Sequence, residues 1–212
     1  MARYMLILEF MALFVAAPVA VAVVLPARAM FPALMAMTLV GIILLHRSKG
    51  FHWSGLWQGW SAVRPLPVFI FACITLVAGL VVTWLAVPEA FLRLPRANPG
   101  LWVMVMLAYP LLSALPQELV FRPLFFHRYA AILPAGRGAL VLNAALFALA
   151  HLMYWHWIVA LLTFAGGLVF ARAYRDRGSF PLAVILHGLA GDILFTLGAG
   201  TLFFSGAVVR PF

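Results

Sequence analysis

Seven long apolar stretches, at 4–26, 30–46, 66–88, 100–127, 139–155, 158–174 and 181–203, constrain this chain more than anything else in it. A helix needs about 20 predominantly apolar residues to cross the hydrocarbon of a bilayer. The second, fifth and sixth stretches are short by that measure, which predicts tilt or ends displaced by a few residues. A soluble helical protein is disfavoured because no stretch carries the charged face that a water-facing helix requires. Composition points the same way: hydrophobic residues make up 67% of the 212 and charged residues 9%. The expected fold is an all-α polytopic membrane bundle of about seven transmembrane helices, a single integral membrane domain over residues 1–212.

Arg3 followed by an apolar run and by "VLPARA" imitates a secretion signal. The run is longer than a usual signal core and leads on to further spans, so a retained anchor is expected. One cysteine, Cys73, provides neither a disulfide nor a cysteine metal cluster. In a soluble chain a net charge of +9 would suggest a nucleic-acid partner. Here it is read loop by loop, and no nucleic acid is expected. With the N-terminus inside, Arg3, Arg47, Lys49, Arg64, Arg128, Arg137, Arg172, Arg175 and Arg177 fall on the cytoplasmic side, and Arg28, Arg93, Arg96 and Arg210 on the outer side. That asymmetry follows the positive-inside rule and places the C-terminus outside. It also suits contact with anionic lipid of the bilayer. Between the second and third stretches, "FHWSGLWQGWSAVR" holds three tryptophans among small and polar residues and reads as an element lying in the interface.

In such a chain each buried charge needs a reason. Glu118 and Arg122 are four residues apart, share one helix face and can form a charge-assisted hydrogen bond. Pro116 and Pro123 bracket them and are expected to kink the helix. Counted from the cytoplasmic ends of their stretches, Glu118, Arg122, His151, His187 and Asp192 lie roughly 8 to 18 Å deep. Three separate helices thus contribute ionisable groups to one layer, and such groups within spans are site candidates. Glu118 with His151 and His187 is a set from which a water-activating centre can be made. Asn143, two turns before His151, is expected to hydrogen-bond between helices or to orient that ring. His187 and Asp192 stand about 140° apart on an ideal helix, so they border one cavity only from its two sides, or where Gly188 and Gly191 distort the helix. Glu118, His151 and His187 also form a permissible zinc set. With no HExxH pattern to demand a metal, the metal-free centre is the expected one and no cofactor is predicted. Gly166 and Gly167 read as a helix-packing site, His156 as interfacial, and Glu9 as a residue that either reaches the surface or pairs with a basic loop residue.

"QELVFR" at 117–122, "FALAH" at 147–151 and "HGLAGD" at 187–192 together resemble the motifs of the CAAX protease and bacteriocin-processing family of intramembrane glutamic endopeptidases. Those motifs are Glu-Glu-x-x-x-Arg, Phe-x-x-x-His, and a His followed by Asn. The resemblance covers about residues 100–203, which it marks as the catalytic core. Two departures stand out. Gln117 occupies the place of the first glutamate, and an amide cannot act as a carboxylate base. Gly191 stands where the family commonly has Asn, with Asp192 one residue further on.

The resemblance implies an endopeptidase that cuts a membrane-associated protein or peptide near the cytoplasmic side of a bacterial inner membrane. On that reading Glu118, ordered by Arg122, takes a proton from the attacking water. His151 shares that water, and His187 donates to the oxyanion. Gln117, Asn143 and Asp192 support the site. The alternatives are a catalytically silent membrane binding or immunity protein, for which Gln117 speaks, and a small proton- or cation-coupled transporter. Oligomeric state is left open.

Overall fold

Apolar runs in hydrocarbon leave the backbone one economical way to satisfy its amides, which is a helix that closes its own hydrogen bonds. The computed structural model describes residues 3–211, and among them there are helices and turns and no strand. In chain order the long elements are α1 (Arg3–Val23), α2 (Ala27–His46), α3 (Pro65–Ala86), α4 (Pro99–Arg128), the shorter α5 (Gly138–Leu149), α6 (Trp157–Arg175) and α7 (Phe180–Leu197). All but α5 are long and apolar enough to cross a membrane. The protein is therefore an integral membrane helical bundle. The expected fifth span is the exception: its regular helix has 12 residues and continues only as a tight turn, Leu152–Tyr154. The second and sixth, also expected to be short, reach 20 and 19 residues.

Proline shapes α1 and α4. Pro18 follows a π-helical turn at Ala12–Ala16, and α4 alternates α-helical and π-helical segments. Its π segments are Pro110–Ala114 and Val120–Arg128, with Pro123 inside the second. A proline lacks the N–H for the i−4 carbonyl and clashes with it. Widening the turn by one residue accommodates that clash, and such π turns are frequent at functional sites.

The buried core begins with aromatic packing of α1 on the C-terminal half of α4. Phe14 meets Phe121, Phe125 and Tyr129 edge-on with ring centroids 5.4–5.6 Å apart. Below this cluster Arg128 donates twice to Glu9, at 2.5 and 2.8 Å, and Tyr129 donates to the same carboxylate at 2.7 Å. Arg128 also reaches Ser48 at 3.1 Å, so one guanidinium ties the same end of α1, α2 and α4 together. Glu9 thus has the basic partner its position called for. On the other side of α4, α5 and α6 pack tightly. A Cβ on Gly167 would stand 3.1 Å from the Ala144 Cα, so a larger residue would push the pair apart. α7 is the central element, half buried where α3 is 17% buried, and packs against α3, α4 and α6. In the tryptophan segment Trp57 and Trp60 are exposed, while Gly59 backs onto Gly178 and Ser179 just ahead of α7.

Candidate active site

A carboxylate at the centre of such a bundle must find its counterion inside the fold. Glu118 finds it one turn away: Arg122 donates through Nε to Oε2 at 2.6 Å and through Nη2 to Oε1 at 3.1 Å. Neither side chain has any exposed surface. The remaining guanidinium nitrogen, Nη1, donates to Asn143 Oδ1 of α5, and Asn143 Nδ2 donates to the Phe121 carbonyl at 2.7 Å. The guanidinium carbon sits 5.3 Å from the Phe147 ring centroid and 5.9 Å from that of Phe170. Asn143 therefore fills the first of its two expected roles, bridging α4 and α5. It does not orient His151, whose Nδ1 is 2.7 Å from the Phe147 carbonyl of its own helix. A carbonyl only accepts, so Nδ1 carries the proton and His151 Nε2 keeps its lone pair.

α7 brings His187 to the same carboxylate. Nδ1 is 2.9 Å from Glu118 Oε1, and Nε2 is 3.2 Å from the hydroxyl of Tyr109. The carboxylate fixes Nδ1 as donor, and in the neutral imidazole this leaves Nε2 as acceptor for the phenol proton. Phe170 stacks on the imidazole at 4.9 Å and 11°, and Phe147 meets it edge-on at 5.5 Å. With both nitrogens engaged, His187 makes no hydrogen bond to Asp192. Asp192 Oδ1 is buried without a hydrogen-bond partner. The spacing of five residues around α7 accounts for this, since it turns the two side chains well apart.

Two cavities flank the layer. One, about 210 Å³, is lined by Ser113, Gln117, Phe121, His151 and Tyr154 together with apolar residues of α1 and α2. The other, about 250 Å³, is lined by Tyr109, Phe147, His151, Phe170, His187 and Gly191, with α3 and α6 closing it. His151 borders both. Glu118 lines neither, and it meets the second through His187. Gln117 donates from Nε2 to Ser113 at 3.0 Å within the first cavity. His156 lies apart and caps α6 by accepting from the Ile158 amide at 3.2 Å. Among the described residues no group of three His, Cys, Asp or Glu is arranged to hold a metal ion.

Tyr109 escaped the sequence reading. It stands nine residues before Glu118, which on an ideal helix is about 180° around the axis and roughly 14 Å along it. The two meet only through His187 of α7, and a π turn at Pro110–Ala114 lies between them on α4. The signal available was the proline after it, which marks where the helix cannot stay regular.

Residues 99–191 match the family described as Type II CAAX prenyl endopeptidase Rce1-like. The matched segment contains Tyr109, Gln117, Glu118, Arg122, Asn143, His151 and His187, and ends one residue before Asp192. No curated protein and no solved structure matches the chain. Over the stretch that runs from the start of α4 to Gly191 of α7, which holds the Glu118–His187 pair and both cavity histidines, the chain is similar to the Rce1-like CAAX prenyl endopeptidases.

Proposed function

We propose that this protein is an intramembrane endopeptidase that hydrolyses a peptide bond of a membrane-associated protein or peptide, with Glu118 driving the activation of water through His187. The observation that carries the proposal is the 2.9 Å contact between Glu118 and His187 at the wall of a cavity that His151 also borders. A buried carboxylate on Nδ1 holds an imidazole in one tautomer and stabilises the imidazolium that forms when Nε2 accepts a proton. Arg122 fixes the carboxylate from the opposite side and leaves it one ordered orientation. His151 offers a second lone pair to the same space and shares the attacking water. In the first cavity Gln117 orients the peptide, its amide oxygen accepting from a substrate N–H. Apolar walls in both cavities suit apolar side chains flanking the scissile bond.

The proposed site opens to the cytoplasmic half of a bacterial inner membrane, with the N-terminus inside and the C-terminus outside. The distribution of lysine and arginine supports this orientation. It puts the Glu9–Arg128 clamp at the cytoplasmic surface and the turn after α5 towards the outer side.

A second reading, a silent membrane binding or immunity protein, is favoured by Gln117, an amide in the place of the family's first glutamate. One assay separates the two. Purified protein in lipid nanodiscs is given a panel of membrane peptides, including a prenylated CAAX peptide, and initial rates are normalised to folded protein. The endopeptidase reading expects cleavage by wild type, its loss in Glu118→Gln and in His187→Gln, and no effect of strong chelators. Cleavage seen only after Gln117→Glu supports the silent protein, and full activity in folded Glu118→Gln removes Glu118 from the chemistry.

A further inference from the structure

Tyr109 closes the site in a way that the proposed roles of Glu118, His187 and His151 do not use. Its ring lies directly over Gly191: a Cβ built there would stand 1.9 Å from Tyr109 Cε1 and 2.4 Å from Cζ. No other residue type at 191 leaves room for that ring. The neighbouring turn is fitted just as closely, with a Cβ on Gly188 only 3.1 Å from Pro110 Cβ. About two turns before Tyr109, Trp102 Nε1 donates to Thr196 Oγ1 at 2.9 Å and pins this part of α4 to α7. Phe195 meets the tyrosine ring edge-on at 5.3 Å. The ring is therefore held by packing, and its hydroxyl is presented to His187 Nε2 at 3.2 Å on the wall of the 250 Å³ cavity.

We propose that Tyr109 is a catalytic residue whose phenol O–H holds the oxyanion formed when water adds to the peptide carbonyl. This rests on the endopeptidase reading above. At rest the phenol donates to His187 Nε2. As the peptide carbonyl enters, the phenol O–H turns from Nε2 to the carbonyl oxygen and frees the Nε2 lone pair. When water adds, a C–O bond forms, the carbonyl π pair moves onto the oxygen that the phenol holds, and the water proton passes to Nε2. On collapse the oxyanion pair re-forms C=O and the C–N bond breaks. The proton on Nε2 goes to the departing nitrogen, leaving one carboxylic acid and one amine. Tyr109 keeps its own proton throughout. Arg122 is fully engaged with Glu118 and Asn143, and His187 is the base, which leaves the phenol as the cavity-facing O–H donor adjoining the base.

The test is Tyr109→Phe, which keeps the ring on Gly191 and removes only the hydroxyl. In nanodiscs the variant is expected to lose about 100-fold in kcat, the scale for one oxyanion donor. KM and melting temperature should stay at wild-type values. A second measurement compares the binding of a cleaved peptide with that of its phosphinate analogue, whose charged oxygen mimics the oxyanion. The analogue should bind Tyr109→Phe about 100-fold more weakly while the parent peptide binds as before. Wild-type turnover or undiminished phosphinate binding in Tyr109→Phe overturns the role of Tyr109 and leaves the endopeptidase intact. A wild-type protein that neither cleaves any peptide nor binds its phosphinate overturns the endopeptidase reading, and the role of Tyr109 with it.

Discussion

Arg122 and Glu118 depend on each other because neither can reach water. Removing one charge leaves its partner buried and uncompensated, at a cost of about 3–5 kcal/mol, whereas replacing both with apolar groups of similar shape is often neutral. Glu118→Gln alone is therefore expected to lower the melting temperature. The double variant Glu118→Leu, Arg122→Met should recover most of that loss, as followed by thermal unfolding in detergent, without regaining cleavage. A double variant no more stable than the single one would show that the pair does not act as a unit. This pair was readable in the sequence because four residues on a helix fix a shared face whatever surrounds it. The meeting of His187 with Glu118 was legible from their shared depth. The surroundings of Asp192 were not, because they are decided by which helices flank α7, and no spacing within α7 contains that information.

α4 is irregular where the candidate site lies. Its two π segments turn residues onto faces that a regular helix would not give them, and the first separates Tyr109 from Glu118, which both contact His187. The prolines announced the irregularity, but the register that results depends on packing against α7. α5 and α6 form the opposite wall, where Phe147 touches His151, His187 and Arg122 together. A Cβ on Gly167 would meet the Phe147 ring at 3.2 Å, so a branched side chain there drives that ring into the site. Gly167→Val is expected to reduce kcat by about tenfold or more, since small displacements of positioned groups are costly. Circular dichroism should still report a helical protein. If instead turnover survives and only stability falls, the Phe147 wall is mere packing.

The arrangement of the whole bundle in the membrane follows from charge. Reporter fusions within 46–65, 128–138 and 172–180 are expected to report cytoplasmic locations, and a fusion after residue 205 an outer one. An outer location for 128–138 would reverse the depth assigned to every site residue. The number of helices and their order were legible from hydropathy, because the demand that backbone amides be satisfied in hydrocarbon acts on composition alone. Where α5 stops was not, since its apolar run continues through the turn that ends it. That early stop has a physical cost for the surrounding lipid. Twelve helical residues rise about 18 Å, well short of the roughly 30 Å of hydrocarbon. Acyl chains beside α5 must shorten or tilt to keep contact, at a fraction of a kcal/mol for each ångström of mismatch. The bilayer beside α5 is therefore expected to be thinner next to the proposed site, where a peptide substrate would have less hydrocarbon to cross before it meets His151. Cleavage should accordingly run faster in nanodiscs of short-chain lipids than in long-chain ones at equal headgroup composition. Equal rates across chain lengths would mean that the mismatch is absorbed elsewhere in the bundle.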